Sequence, residues 1–529
     1  MIPITMRKSF SLKISLGITF ILLTIFAANP IGFQSGPFQA QPAHAGFFDD
    51  DLDVFDEVLS LVAGNYVYPP DFRKLFTAAT DAMLKTVEKE NLTVTSVYTG
   101  KTLETNGKKF SYQLNFNKDE NMKALQGVYD FISREFKGKV SKKDLEKAGI
   151  DGLMDSLDPY SLYMDKEEFE ASMRDTEGEY GGVGMVITLV DNQLTVVRVI
   201  KNSPSDRAGI LPDDIITRVD KQEIKGMQIH ELASKLRGYP NTQVNIDVYR
   251  PSTKVTQLTT LTREIISIET VQYKYLGDQT GYIRISSFSK KTDDQLEAAF
   301  EKAEKDGVQA FVLDLRDNPG GLLSQSVKVA SHFLEEGQLI VYTQGRDRHD
   351  TQQYESVYDD RWSKKPLAVL INGHSASASE IVSGSLKDAG KALILGERSY
   401  GKGSVQTIFR MSDSSGLRLT TSKYYTPSGI DITVNGIAPE IQIERDISGL
   451  PSDNAPSGKS KTTKTPVIKP IIVKESEVQD FLKKRGETVK GDTDLLVAFA
   501  KMTINNPPQP TKGHALAKAR ELAKDMHHY

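Results

Sequence analysis

The chain has 529 residues, 39% of them hydrophobic and 26% charged, which suffices for about three to four domains and excludes both wholesale disorder and a polytopic membrane protein. Lys and Arg number 66 against 70 Asp and Glu, and this net charge of -4 argues against a dedicated nucleic-acid binder. Cysteine is absent, which excludes disulfides, Cys-ligated zinc, iron–sulfur clusters and a cysteine nucleophile.

Residues 1–45 have the features of an export signal. Basic residues from Arg7 to Lys13 precede the apolar run Ile14–Ala28, which is shorter than the roughly 18 residues of a membrane span. Ala43-His44-Ala45 offers small residues for cleavage. We expect a signal peptide or an uncleaved anchor, with a buried core helix as the remaining alternative. An exported chain without cysteine is typical of bacteria, which predicts the periplasm or cell envelope.

Residues 46–175 are predicted to form a helical domain. Apolar residues recur at three- and four-residue steps from Leu52 to Val62, and a second helix is expected from Asp71 to Glu90. Residues 91–120 are polar and predict a loop or hairpin, within an insert at about 85–147. Helices are predicted again near 120–136 and 141–156, the second capped by Ser141.

After residue 175 the sequence pattern changes to one typical of short strands. Residues 176–262 predict a small, partly open β domain, in which Asp191-Asn192 marks a hairpin turn. Strands and helices alternate in residues 263–446, as in an α/β core. Residues 447–475 contain a Ser-, Pro-, Lys- and Thr-rich stretch and predict a linker, and residues 476–529 predict a helical tail.

Two patterns point to chemistry that the chain does not support. Gly396 to Lys402 imitates a phosphate-binding loop, but Gly403 stands where Ser or Thr would hold magnesium and a strand pattern follows. Asp158, Asp314 and Asp317 lack histidines at ligand spacing, so turn and capping roles are favoured over metal binding. We expect no metal and no cofactor.

A small-residue turn, Asn372 to Glu380, follows a predicted strand and precedes a predicted helix. Such a turn can present a serine at a helix N-terminus, where free N–H groups stabilise an oxyanion; a plain helix cap is the alternative. Lys402 lies between two glycines, and a desolvated lysine there can be neutral and act as a base, although most lysines are simply exposed. In an extended chain Gln406 shares the face of Lys402 and can orient its amine.

A third pattern, Asp314-Leu-Arg-Asp-Asn-Pro-Gly-Gly321, ends a predicted strand in glycines that allow a ligand to approach the backbone closely. A simple type II turn is the alternative. Together with Ser-Ala-Ser-Ala-Ser-Glu, Gly-Lys-Gly-Ser-Val-Gln and Ser-Leu-Asp-Pro-x-Ser, this pattern resembles the carboxyl-terminal processing proteases, also called tail-specific serine proteases. The resemblance runs from about Asp51 to Glu444, apart from the insert.

The resemblance implies a multidomain α+β fold: a helical N-terminal region, a PDZ-like β domain and an α/β protease core of the ClpP/crotonase-like kind. It also implies that the nucleophile lies 25 positions before the base, which selects Ser377 for Lys402. The family's third catalytic residue corresponds to Gln406. Its oxyanion donors correspond to the backbone N–H groups of Ala378 and of Gly320 or Gly321.

The same resemblance implies that the β domain binds substrate tails. Tyr180-Gly-Gly-Val-Gly-Met185 resembles the carboxylate-binding loop of PDZ domains, in which consecutive N–H groups hold a C-terminal carboxylate. The tail-binding residues would be Gly181, Gly182, Val183, Gly184 and Met185. Without the resemblance, this segment is an ordinary hairpin entry, and His230 an exposed residue at a helix start.

Two departures from the family pattern stand out. Tyr160 replaces the histidine usual in the Asp-Pro-His-Ser motif, so a role that needs histidine is lost. Some 60 residues separate the helix near Ala78–Leu84 from the segment Ala148–Leu157 that leads into that motif.

The sequence thus predicts an extracytoplasmic serine endopeptidase that cleaves protein substrates near their C-termini. Its partners are proteins with accessible tails, not nucleic acids, and inner-membrane association and a homo-oligomer stay open. The alternatives are a Ser-His hydrolase that uses His374, and a non-catalytic PDZ scaffold or tail-binding chaperone on a protease fold.

Overall fold

The computed structural model describes residues 51–97, 100–190, 192–359, 361–444, 470–484, 494–504, 516–518 and 520–522. The predicted signal or anchor and most of the predicted linker lie outside these ranges. Within them, no helix combines the length and the apolarity that crossing a bilayer requires.

The first described region is helical and carries a small antiparallel sheet. Its elements are α1 Asp53–Asn65, α2 Phe72–Lys85, β1 Thr93–Val97, β2 Gly100–Thr105, β3 Lys108–Gln113, α3 Lys118–Glu135, α4 Lys142–Asp155, β4 Leu162–Met164 and α5 Lys166–Glu177. The side chains of Asp71, Asn117 and Ser141 accept hydrogen bonds from first-turn N–H groups of α2, α3 and α4, which confirms the predicted Ser141 cap.

The polar segment predicted as a loop or hairpin is a three-strand meander, β1-β2-β3. Its apolar residues Leu103, Tyr112 and Leu114 are buried in the same core as α1 to α4. This core continues into Met411 and Leu417 from much later in the chain. The segment is therefore part of the domain's core, because its alternate side chains point into the helices.

The second region is the β domain. Its elements are β5 Glu179–Gly182, β6 Met185–Val190, β7 Gln193–Val199, α6 Pro204–Arg207, β8 Ile215–Val219, β9 Gln222–Glu223, α7 Ile229–Leu236, β10 Gln243–Arg250, β11 Val255–Thr262 and β12 Glu264–Ser267. The sheet order is β11-β10-β8-β7-β6, and Val190 opposite Gln193 confirms the predicted hairpin. Strand β5 pairs with β12, so both ends of the domain leave through one two-stranded ribbon.

The third region is the α/β core. Its elements are β13 Val271–Tyr275, β14 Thr280–Ile285, α8 Thr292–Lys305, β15 Ala310–Asp314, α9 Leu323–Ser331, β16 Leu339–Gln344, β17 Thr351–Glu355, β18 Leu367–Ile371, α10 Ala378–Asp388, β19 Ala392–Gly396, β20 Ser404–Arg410, β21 Gly416–Tyr425, α11 Ile432–Asn435 and β22 Ile441–Glu444. Strands β15, β18 and β19 are adjacent, parallel and buried along their whole length. The loops that follow them therefore meet at one edge of the sheet.

The tail extends the same sheet. Its elements are β23 Ile471–Lys474, α12 Glu475–Lys484 and α13 Leu495–Ile504. The full order is β13-β14-β15-β18-β19-β22-β23, so residues 471–474, assigned from sequence to the linker, form a parallel strand beside β22. A second sheet, β17-β16-β21-β20, packs nearby, and β4 pairs with β21. The arrangement is a multidomain α+β fold with helical, PDZ-like and α/β parts.

Candidate active site

The turn after β18 presents Ser377 at the first position before α10. Ser377 has φ 55° and ψ −113°, a strained conformation for a residue with a side chain, and it is only 6% exposed. Backbone strain of this kind costs of order 1–3 kcal/mol and persists only where the surrounding structure enforces it. The turn is therefore built to hold Ser377 in one orientation.

The hydroxyls of the two neighbouring serines are occupied by the backbone. Ser375 Oγ donates to the Leu315 carbonyl at 2.8 Å, and Ser379 Oγ donates to the Asn318 carbonyl at 3.0 Å. The hydroxyl of Ser377 instead lies against the phenol of Tyr424, whose pKa is raised to about 12 by burial and lowered somewhat by this contact. Of the three serines in the turn, Ser377 is the one whose hydroxyl donates to no main-chain carbonyl among the described residues.

The carboxylate of Glu380, which is fully buried, joins the serine turn to the lysine loop. Its Oε2 accepts from the Ser377 N–H at 2.8 Å and from the Lys402 N–H at 2.9 Å. Its Oε1 accepts from the Gly401 N–H at 2.7 Å and from Ser399 Oγ at 2.5 Å. Burial raises the pKa of Glu380, and these four donors oppose that rise. Two segments separated by α10 and β19 are thereby fixed against each other.

Lys402 lies in the loop before β20. Burial is the main cause that lowers its pKa, the positive charge of Arg418 lowers it further, and the charge of Glu380 opposes both. The ammonium nitrogen lies 4.9 Å from the ring centroid of Tyr160. Within the described part of the chain, no hydrogen bond joins it to Ser377. The lysine has the electrostatic surroundings of a base and lies on the face of an aromatic ring.

Gln406 does not contact Lys402 in the way that the extended-chain argument predicts. Strand β20 starts at Ser404, after the lysine, and the register shifts between Val405 and Gln406. The Gln406 amide donates to Ser404 Oγ at 2.8 Å and to the Ser404 carbonyl at 3.2 Å. Its proposed role as the third catalytic residue stays a prediction.

Gly320, in the loop after β15, lies beside Ser377. A side chain on Gly320 would come within 2.8 Å of Ser377 Cβ and 3.0 Å of the Ala378 nitrogen. The Gly320 N–H donates to Asn318 Oδ1 at 2.9 Å, whereas within the described residues the N–H groups of Gly321 and Ala378 have no acceptor. Of the two glycines left open by the sequence, Gly321 is the one whose N–H group has no acceptor among the described residues, and the oxyanion role of either stays a prediction.

The Asp158-Pro-Tyr-Ser motif packs on the other side of the lysine. Asp158 accepts from the N–H groups of Tyr160 and Ser161 and from the hydroxyls of Ser161 and Thr420. The Tyr160 ring is thereby placed over Lys402. Burial raises the pKa of Tyr160, and its phenol bonds to that of Tyr400. Tyr160, which replaces the family's histidine, is thus a neighbour of Lys402.

The five residues of the proposed carboxylate-binding loop lie between the ribbon and the PDZ-like sheet. Gly181 and Gly182 belong to β5, Met185 begins β6, and all five residues are buried. Within the described chain the N–H groups of Val183 and Gly184 bind no acceptor, while their carbonyls accept from Ser205 and Ser203. Gly184 has φ +79° and a side chain there would clash with Ser203, so only glycine fits.

The remaining patterns are structural. Asp314 pairs with Arg316 and Tyr282, and no cluster of potential metal ligands occurs among the described residues. Gly403 leads into a strand and not into the helix of a phosphate-binding loop. His374 is exposed, and its described hydrogen bond runs from its backbone N–H to Asn372. His230 lies in α7.

Sequence reasoning missed three neighbours of the site: Glu380, Arg418 and Tyr424. Glu380 three residues after the serine is a signal in the sequence, because an acidic residue in the first turn of a helix often caps it. Arg418 and Tyr424 lie on β21, and only pairing of β20 with β21 brings them to Lys402 and Ser377.

Comparisons with known proteins identify the families of three parts of the chain. A family model described as "Peptidase family S41" matches residues 279–443, a PDZ domain model matches residues 195–250, and a model of the "Activating protease CtpB N-terminal domain" matches residues 90–168. The last match includes the segment that the sequence suggested to be an insert. The PDZ match begins after the proposed carboxylate-binding loop.

Two curated relatives are similar over most of their length. A carboxy-terminal-processing protease of Bartonella bacilliformis is 39% identical over 336 residues, which cover 62% of this chain and 77% of that protein. A probable CtpA-like serine protease of Staphylococcus aureus is 38% identical over 333 residues, which cover 63% of this chain and 66% of that protein. Among solved structures, a photosystem II D1 C-terminal processing protease aligns with 75% of this chain and 93% of its own at 25% identity and a TM-score of 0.42.

Proposed function

Because the chain belongs to the carboxy-terminal-processing proteases of peptidase family S41, we propose that it cleaves protein substrates near their C-termini with a Ser377–Lys402 dyad. Family membership makes it a serine protease with a PDZ domain and thereby favours the enzyme over a non-catalytic scaffold. The residues that perform the reaction, the recognition of tails and the compartment are the parts proposed here.

One observation carries the assignment of the dyad. A serine whose hydroxyl donates to no described main-chain carbonyl and a partly buried lysine with a lowered pKa have their backbone N–H groups on the same oxygen, Glu380 Oε2. A lowered lysine pKa beside a nucleophile is typical of a general base. Exposed His374 has no such link to the serine.

The proposed reaction follows from these positions. Neutral Lys402 moves off the Tyr160 ring and takes the proton of Ser377 Oγ as this oxygen attacks the scissile carbonyl. The N–H groups of Gly321 and Ala378 stabilise the oxyanion. Protonated Lys402 then gives its proton to the leaving amine, which frees the C-terminal fragment. Water, deprotonated by Lys402, hydrolyses the acyl-enzyme and restores Ser377.

The PDZ-like domain supplies tail recognition in this proposal. The free N–H groups of Val183 and Gly184 would bind the terminal carboxylate of a substrate. Strand β6 is the edge of its sheet, so a substrate tail can add to it as a further strand. This arrangement explains why a free C-terminus would mark the substrate.

We propose export from the cytoplasm as the setting. The support is the basic and apolar pattern at the N-terminus, together with relatives from bacteria. Mass spectrometry of the mature N-terminus tests it: cleavage after Ala45 or retention of Ile14–Ala28 in the membrane fraction supports export, whereas an intact soluble chain contradicts it.

The dyad is tested with purified Ser377→Ala and Lys402→Ala variants on a denatured protein with a free C-terminal tail. We expect both variants to lose at least about a thousandfold in kcat, because each removes a reacting group. His374→Ala is the matched control and should keep its activity. Cleavage by either dyad variant at the normal rate would overturn the assignment, and loss of activity in His374→Ala alone would favour the Ser-His alternative.

A further inference from the structure

An arginine beside the active site is bound by two aspartates from distant parts of the chain. Arg316 Nε and one terminal nitrogen donate to Asp314, which is fully buried at the end of β15. The terminal nitrogens also donate to both carboxylate oxygens of Asp494, at 2.5 and 3.2 Å. Asp494 lies in the C-terminal tail, beyond the residues that the protease family matches. A bidentate pair of this kind fixes an arginine in both position and orientation.

Asp494 also caps helix α13. Its Oδ1 accepts from the Val497 N–H at 3.2 Å, and its carbonyl accepts from the Ala498 N–H at 3.0 Å. Burial raises the pKa of Asp494, but the bonds from Arg316 outweigh this and lower it overall. The same carboxylate thus starts the helix that packs on the catalytic sheet and holds Arg316.

Arg316 belongs to the loop that carries the glycines next to Ser377. Asp317, the next residue, exchanges two hydrogen bonds with the side chain of Asn372 at the start of the serine turn. The Asn318 carbonyl accepts from the Ala376 N–H and from Ser379 Oγ. Hydrogen bonds therefore link the glycine loop to the serine turn from Asp317 onward.

The backbone of this loop is strained at Asp317, which has φ 59° although it carries a side chain. Gly320 and Gly321 have φ 104° and 142°, which glycine adopts without such strain. The conformation of Asp317 needs external contacts to persist. Arg316 precedes the strained segment directly, so its two aspartates fix the point from which the loop departs.

We propose that Asp494 is a positioning residue for catalysis: through Arg316 the C-terminal tail holds the glycine loop in the shape that stabilises the oxyanion at Ser377. This inference rests on the proposed function of Ser377. If Asp494 has this role, the C-terminal tail positions the oxyanion donors in addition to covering the central sheet.

The chain offers a variant that isolates the ion pair. Asp494→Ser keeps a good helix cap, because serine is among the preferred N-cap residues, but its side chain is too short to reach the guanidinium. Asp494→Asn keeps the cap and one acceptor, so an intermediate effect is expected.

The matched control is the other described ion pair between α13 and the core. Lys501 donates to Asp278 at 2.7 Å and to the Leu276 carbonyl at 2.9 Å. These residues lie at the opposite end of the strands from the glycine loop, because Thr280 at the start of β14 pairs with Ala310 at the start of β15. Lys501→Ala therefore weakens attachment of the tail without touching Arg316.

Two readouts distinguish positioning from folding. We expect Asp494→Ser to lower kcat about tenfold with little change in KM, as for an interaction made in the transition state. We expect the same variant to react about tenfold more slowly with an alkyl fluorophosphonate, in which Ser377 Oγ displaces fluoride and the phosphoryl oxygen occupies the oxyanion position. Lys501→Ala should match the unmodified protein in both assays at a similar melting temperature to Asp494→Ser.

Equal losses in Asp494→Ser and Lys501→Ala, or no loss in Asp494→Ser, would overturn the proposal. If Asp494→Ser does not fold, the same comparison is made with Asp494→Asn, for which unchanged kcat and labelling would also overturn it. Failure of the unmodified protein to be labelled at Ser377 would instead count against the proposed function itself.

Discussion

Ser377 and Lys402 stand 25 positions apart, and the carboxylate of Glu380 binds the main chain of both. A carboxylate has only acceptors, so four donors around it favour its ionised form against the effect of burial. Glu380 holds both reacting residues through their backbone N–H groups and does not bind their reacting side-chain atoms. At the scale of single residues, the site is therefore organised by a group that takes no part in the proposed proton transfers.

Replacing this carboxylate should uncouple the two loops. In Glu380→Gln one acceptor oxygen becomes a donor, which leaves buried N–H groups of the serine turn or the lysine loop without a partner. We expect kcat to fall about a hundredfold, equivalent to about 3 kcal/mol. Steady-state kinetics check this, with Glu301→Gln on the exposed face of α8 as control. An unchanged kcat would show that the serine turn and the lysine loop keep their positions without the Glu380 carboxylate.

The pH dependence of activity depends on Arg418. The base must be neutral, and Arg418 is the second cause, after burial, that lowers the pKa of Lys402. In Arg418→Met that repulsion is gone, the lysine pKa rises, and a smaller fraction is neutral at a given pH. We expect the acidic limb of kcat/KM to move to higher pH, with rates converging at high pH.

The control for this profile is Arg410→Met, which removes an exposed arginine from the neighbouring strand β20. Its acidic limb should stay where it is in the unmodified protein. If Arg418→Met does not shift the acidic limb of kcat/KM, the ionisation of Lys402 is not what determines that limb.

At the scale of elements, the site depends on where three adjacent strands end. Strands β15, β18 and β19 are parallel and neighbouring, so the glycine loop, the serine turn and the lysine loop emerge at the same edge. The glycine loop also packs so closely against the segment between β14 and α8 that a side chain is excluded there. At Gly321, an added Cβ would lie 2.2 Å from the Phe288 carbonyl oxygen.

Gly321→Ala should therefore displace the loop. We expect a loss in kcat of at least about a hundredfold, because the proposed oxyanion donor moves with the backbone. Gly337→Ala is a matched control, since Gly337 also has positive φ, +76°, but open space around it. It should cost about 1 kcal/mol of stability and leave kcat intact. Similar kcat values for the two variants would contradict the packing argument.

At the scale of the whole molecule, the C-terminal tail belongs to the catalytic core. Residues of α12 and α13, among them Phe481 and Phe499, bury the face of the central sheet formed by Val312, Leu370 and Leu395. Strand β23 covers the edge of β22. Without these elements, a row of apolar side chains and an unpaired strand edge would face water.

A chain that ends at Glu444 should accordingly aggregate or fail to accumulate, because exposed apolar faces and strand edges promote association. The measurement is the soluble, monodisperse fraction after expression. Ile472→Thr, at a half-exposed position of β23, is the control and should remain soluble. A soluble and active truncated chain would show that the core is complete without its tail.

The sequence by itself determined the multidomain α+β fold, the order of its parts and the membership of a serine protease family, because apolar periodicity and short glycine- and serine-rich motifs are local signals. It also located the Ser141 helix cap and the hairpin in the β domain. The residues assigned to the reaction, Ser377, Lys402 and the glycine donors, are adjacent to one another in the fold and stay predictions until tested.

Only the tertiary structure decided the rest. Arg418, Tyr424 and Asp494 are brought to the site by strand pairing and by the docking of the tail, over separations that no local pattern encodes. The Gln406 amide turns toward Ser404 because the strand begins after Lys402 and shifts its register, which a regular extended chain does not show. Sequence specifies which elements form; which side chains face each other depends on how those elements pack.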